Sequence, residues 1–82
     1  MNHEAYGTAQ RALAELKTAV CSLLTAYVDG LTNAEIGRAL GIYGGHNGQH
    51  EGHIPRTLLA MMEAEGVVEQ EMKTKRWRIK SP

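Results

Sequence analysis

The stretch "LTNAEIGRALG", residues 31 to 41, constrains the fold more than any other segment, because local chemistry marks both ends of one short helix. Thr32 followed three residues later by Glu35 is the spacing of a capping box, in which hydroxyl and carboxylate each take a backbone N–H at the helix start. Leu31, just before the cap, is placed to pack forward onto Ile36. Gly41 stands about two turns on, where a residue with left-handed backbone ends a helix. The helix so defined, residues 33 to 40, is too short to persist in water unaided. Its neighbours have to supply the packing.

Those neighbours are legible from periodicity. From about residue 5 to 28, Ala9, Leu13, Leu16, Val20, Leu23, Leu24 and Tyr27 recur at spacings of three and four, one face of a long helix 1. Gly30 supplies a left-handed stop after it. Ala5, Ala12, Ala19 and Ala26 form a small-residue stripe along one edge of that face, suited to contact with the chain's own helices or to a homodimer contact. Helix 3 is expected over about 54 to 65: Pro55 suits its first turn, Ile54, Leu58, Met61 and Met62 fall to the buried side, and Gly66 closes it. Residues 67 to 80 read as a hairpin whose second strand turns Trp77 and Ile79 to one face and Arg76, Arg78 and Lys80 to the other. Trp77 is expected inside. The expected class is mainly α, with an α+β finish, in a single domain over residues 1 to 82.

Composition narrows the function. Eighty-two residues suffice for one core but are few for a catalytic domain with a deep cleft. No apolar run approaches the roughly 20 residues of a bilayer span, and the N-terminus lacks the basic and apolar regions of a signal peptide, so a cytoplasmic address without membrane contact is expected. Cys21, the one cysteine, sits among apolar residues as a packing group. Nine basic and nine acidic side chains cancel, but not locally. Between residues 29 and 71 seven acids face only Arg38 and Arg56, whereas the last eleven residues hold Lys73, Lys75, Arg76, Arg78 and Lys80 and no acid.

Three helices and a basic hairpin, with "LTNAEIGRALGI", "IPRTLLAMMEAEGVVEQ" and "KRWRIK" in that order, resemble the winged helix-turn-helix family over about residues 31 to 80. Small bacterial regulators and winged-helix modules of restriction endonucleases share the pattern, and winged helices also serve as protein-binding or dimerisation modules. The resemblance implies double-stranded DNA as partner, helix 3 in the major groove, and the hairpin as a wing on the backbone or minor groove. If helical geometry runs back through the glycine-rich stretch, steps of about 100° per residue place Gln49, His53, Arg56, Ala60 and Glu63 opposite Leu58 and Met61. Arg56 and Gln49 then suit base edges, and His50 and His53 suit phosphates. Asn47 and Thr57 complete the helix 3 side of the candidate DNA-binding set. On the wing, Lys73, Lys75, Arg76 and Arg78 suit phosphates and Thr74 adds a hydroxyl at the tip. The charge balance keeps the alternative open: a winged-helix module that meets a protein partner and no DNA.

"GIYGGHNGQHEGHIP", residues 41 to 55, holds five of the nine glycines and three of the four histidines. His46, His50 and His53 have spacings that would gather on a helix around zinc, but no cysteine lies nearby and Glu51 is the one local carboxylate. A phosphate-binding P-loop needs lysine and then serine or threonine after its last glycine, and neither is present. No nucleophile or paired carboxylate accompanies the histidines, so no enzyme, metal or cofactor is expected. What remains is an expanded turn whose bare N–H groups meet a phosphate backbone, or a purely structural loop.

Overall fold

Asn2 begins the first helix: its side chain accepts the Ala5 N–H at 3.0 Å, a cap that places the start two residues before the periodicity did. The computed structural model describes residues 2 to 44 and 52 to 81. Along the chain run α1 (His3–Ala26), α2 (Asn33–Leu40), α3 (His53–Ala64), β1 (Val68–Gln70) and β2 (Trp77–Ile79). The protein is thus mainly helical, with a two-stranded antiparallel sheet.

The capping box forms in full: the Thr32 hydroxyl accepts the Glu35 N–H at 3.2 Å, and the Glu35 carboxylate accepts the Thr32 N–H at 2.8 Å. Gly41 ends α2 at φ 74°. Gly30 also adopts positive φ, 91°, and its N–H closes a turn on the Tyr27 carbonyl at 2.8 Å. A Cβ there would lie 2.8 Å from the Trp77 carbonyl oxygen, so the position needs glycine for both reasons.

The core joins Val20 and Leu24 of α1, Ile36 of α2, Leu58, Leu59 and Met62 of α3, and Val68 and Trp77 of the hairpin. Cys21 packs against it as a partly buried neighbour. Each fully buried aliphatic side chain contributes roughly 1.5–3 kcal/mol, which is what retains a helix as short as α2. Strand pairing is Val68 to Ile79, Glu69 to Arg78 and Gln70 to Trp77. On the other side of β2, Leu31 and Trp77 exchange both backbone hydrogen bonds, at 3.0 and 2.7 Å. The connection between α1 and α2 is thereby pinned to the hairpin.

On the helices, packing departs from periodicity in three places, and on β2 Ile79, which shares a face with Trp77, is 36% exposed. Ala9 and Tyr27 are exposed instead of buried: Ala9 lies in the N-terminal half of α1, well before its first fully buried residue, Val20, and Tyr27 is the C-cap, where the chain leaves the helix. Ala5, Ala12 and Ala26 of the small-residue stripe are exposed as well, and Ala19 is partly buried. On α3 the buried side consists of Pro55, Leu58, Leu59 and Met62, while Ile54 and Met61 are 53% and 36% exposed. The adjacent pairs Leu58-Leu59 and Met61-Met62 offer two faces about 100° apart, and contact with α1 and α2 selects between them.

α2 and α3 approach closely through Gly37. A Cβ on Gly37 would lie 2.9 Å from Cγ of Pro55 and 2.9 Å from Cβ of Tyr43. Among the described residues no helix is long and apolar enough to cross a membrane.

Candidate functional site

α3 presents His53, Arg56, Thr57, Ala60 and Glu63 at its surface, the side away from Pro55, Leu59 and Met62. Among the described residues Arg56 has no ion-pair partner. The helix does not run back into the glycine-rich stretch as one continuous element. Gly52 is its N-cap, at φ 83° and ψ 8°, and the left-handed backbone there breaks the 100° stepping that aligned Gln49 with Arg56. Asn47, Gln49 and His50, with His46 of the zinc alternative, lie outside the described residues.

The two ends of that stretch meet. The Gly52 N–H donates to the Tyr43 carbonyl at 2.9 Å, and the Asn33 side-chain amide donates to the Gly52 carbonyl at 3.2 Å. A Cβ on Gly52 would stand 2.8 Å from Asn33 Nδ2, so this glycine is dictated by crowding as well as by φ. The other Asn33 side-chain atom, Oδ1, is buried and, among the described residues, has no hydrogen-bond partner. Beside this junction the Arg38 guanidinium lies over the Tyr43 ring, 4.5 Å from its centre. Periodicity and charge counting passed over Asn33, Arg38 and Tyr43. Their one sequence signal is position: first and sixth residues of a short capped helix, and the aromatic just past its glycine stop.

The hairpin sorts the C-terminal cations into two groups. Arg76 donates from Nη1 to the Gly30 carbonyl at 2.8 Å and lies 3.8 Å from Glu35, so it braces the turn before α2. Arg78 pairs with Glu69 across the strands at 3.1 Å. Lys73, Lys75 and Lys80 are exposed and, among the described residues, make no ion pair. The loop carrying two of them is tied down: the Glu71 carboxylate accepts the Thr74 N–H at 2.6 Å, the Lys75 N–H reaches the Glu71 carbonyl at 2.8 Å, and the Arg76 N–H reaches the Thr74 hydroxyl at 3.3 Å. Thr74, expected to offer its hydroxyl at the tip, uses it inside the loop. Lys75 is the one described non-glycine residue at positive φ, 64°.

Two carboxyls titrate below their ordinary range. In Glu35 the cause is chiefly the Thr32 backbone N–H, with the Thr32 side chain and the Arg76 charge adding to it. In Glu71 it is chiefly the Thr74 backbone N–H, then the Thr74 side chain and the Lys73 backbone. Both groups therefore stay ionised as structural acceptors at neutral pH.

Among the described residues no three His, Cys, Asp or Glu side chains gather in a way that could hold a metal ion. Compared with known proteins, the chain matches no family model, no curated protein and no solved structure.

Proposed function

We propose that the protein binds double-stranded DNA as a winged helix-turn-helix, α3 lying in the major groove and the hairpin acting as a wing on the phosphate backbone. The observation that carries this reading is the pair Lys73 and Lys75, exposed and, among the described residues, without ion-pair partners, on a loop that hydrogen bonds of Glu71 and Thr74 brace. A braced loop presents charge with less conformational entropy to lose, and each phosphate it neutralises releases counterions. Lys80 and Arg56 extend the same chemistry, and small Ala60 lets α3 approach closely. The Leu31–Trp77 bridge and the Gly37–Pro55 contact support the architecture, since they fix hairpin and α3 on one frame. Arg76 and Arg78 contribute mainly to the fold. This role needs neither cofactor nor catalytic group, and fits a cytoplasmic regulator or a recognition module of a restriction system.

Fluorescence anisotropy with a mixed-sequence duplex, titrated over a range of salt, tests the reading. Four cations on four phosphates give a log-log salt slope of about −3 to −4. Arg56→Ala weakens binding with the melt unchanged, because its side chain is exposed. Absence of binding even at about 50 mM salt, where phosphate contacts are strong, refutes it.

A second reading, a winged-helix module that binds protein and no DNA, is favoured by one observation: Ile54 and Met61 leave an apolar edge uncovered on α3.

A further inference from the structure

The uncovered edge belongs to a longer surface. On α1 the positions 6, 9, 13 and 16 are spaced three, four and three residues apart, so Tyr6, Ala9, Leu13 and Leu16 form one narrow seam of coiled-coil type. The seam continues into the core at Val20, but toward the N-terminus it outruns the body, leaving Tyr6 62% exposed. Where it passes α3, Leu13 and Leu16 with Ile54, Leu58 and Met61 line a largely apolar groove of about 290 Å³, which His53 and Thr57 of the α3 surface also border. The chain thus carries a large exposed knob, Tyr6, and an open groove of matching chemistry, ten residues apart on one helix.

We infer that a second copy of this chain covers the surface, its α1 lying antiparallel in the groove so that Tyr6 of each copy seats at Leu16 of the other. Antiparallel helices in that register pair Tyr6 with Leu16 and Ala9 with Leu13, twice over by symmetry, setting large side chains against small ones in the inner layers. Such a two-fold contact is isologous, so one exposed knob and one groove per copy are both satisfied and no further copies add. The flanks suit close approach. Ala5 and Ala12 border one side, the charged Glu4, Arg11 and Glu15 fall on the back of the helix, and Lys17 on the other border is held by Glu65 at 2.7 Å.

The area is consistent with a reversible dimer. Covering the seam, Ile54, Met61 and their polar rim removes on the order of 500 to 600 Å² per copy, about 1,100 Å² in all, enough for a specific interface and well short of an obligate one. The overhanging turns of α1 also gain a partner, which a helix end without tertiary contacts lacks. This inference stands without DNA, and its test contains none.

Sedimentation equilibrium of the full chain from about 5 to 500 µM, the range in which an interface of this size dissociates, should show a monomer–dimer equilibrium. Tyr6→Ala and Ala9→Glu alter exposed positions, so each should leave the melting temperature of the dilute monomer in place and raise the dissociation constant at least tenfold. Arg11→Ala, on the back of the helix, should change nothing. The register has its own readout. In a Cys21→Ser background, Tyr6→Cys combined with Leu16→Cys should oxidise to a covalent dimer. The two positions lie about 15 Å apart on one helix, too far for an intrachain bridge. A monomer throughout the concentration range overturns the inference, as does a dimer indifferent to both Tyr6→Ala and Ala9→Glu.

Discussion

Replacing Gly37 by alanine puts the contact between α2 and α3 under a test of sign. Gly37 lies inside α2, where helix propensity alone favours alanine by roughly 0.5–1 kcal/mol. The added methyl has nowhere to go. Three atoms wait at 2.9 Å: Cγ of Pro55, and Cβ and Cδ1 of Tyr43. None is the loose end of a flexible chain, since the proline ring is rigid and the Tyr43 ring lies under Arg38. Overpacking of this kind costs about 1–3 kcal/mol, so the net effect is a loss of about 1–2 kcal/mol. For a domain of this size that lowers the melting temperature by about 5–15 °C. Gly7→Ala provides the control: Gly7 also lies inside a helix, but its added Cβ meets only the mobile guanidinium end of Arg11, at 3.4 Å. It should raise stability by about 0.5–1 kcal/mol. Thermal melts followed by circular dichroism decide between packing and propensity. If Gly37→Ala stabilises as Gly7→Ala does, the close approach of α2 and α3 is wrong.

Lys75→Gly relieves a left-handed lysine and should stabilise by up to about 1 kcal/mol, while DNA affinity falls and the salt slope flattens by about one unit; parallel changes in stability and affinity would contradict the separation of the two roles. Arg76→Met removes the donor to the Gly30 carbonyl and should cost about 1–2 kcal/mol in chemical denaturation, whereas Arg78→Gln, which breaks an exposed pair, should cost under about 0.5 kcal/mol; equal effects would remove the distinction between brace and surface pair. Stability should also depend on acid. Glu35 and Glu71 titrate below their ordinary 4.5 when folded, so their contribution is complete above that value and is lost as pH falls through the lower folded values. The melting temperature should therefore drop on acidification, and less steeply in Glu71→Gln; identical acid profiles for the two proteins would dismiss the loop acceptor.

What the sequence revealed of the fold was the part written in short-range chemistry. The Thr32–Glu35 box and the Gly41 stop involve residues three to nine apart, and α2 has the bounds they imply, Asn33–Leu40. Trp77 faces inward as strand alternation required. Where two local solutions were nearly equal, tertiary contact decided: Met61 and Met62 are both methionines in one helix, and only the position of α1 and α2 tells them apart. The Leu31–Trp77 bridge spans 46 residues and occupies one residue on its first side, too little for any periodicity to register. Arg76 misled for a related reason. Its charge and its alternation are those of a surface cation, and the carbonyl it serves, at Gly30, is 46 residues away. In the candidate site, Arg56 and the hairpin lysines were legible as exposed cations. The junction of Asn33, Tyr43 and Gly52 was not, since Tyr43 and Gly52 meet through backbone atoms and the Asn33 amide serves a carbonyl 19 residues away.

That junction also couples the two helices it joins. Asn33 is the first residue of α2 and Gly52 the N-cap of α3, so the Asn33 amide on the Gly52 carbonyl and the Gly52 N–H on the Tyr43 carbonyl tie the start of one helix and the residues past its end to the start of the other. A change at Asn33 is therefore felt in two places at once, the first turn of α2 and the N-terminus of α3.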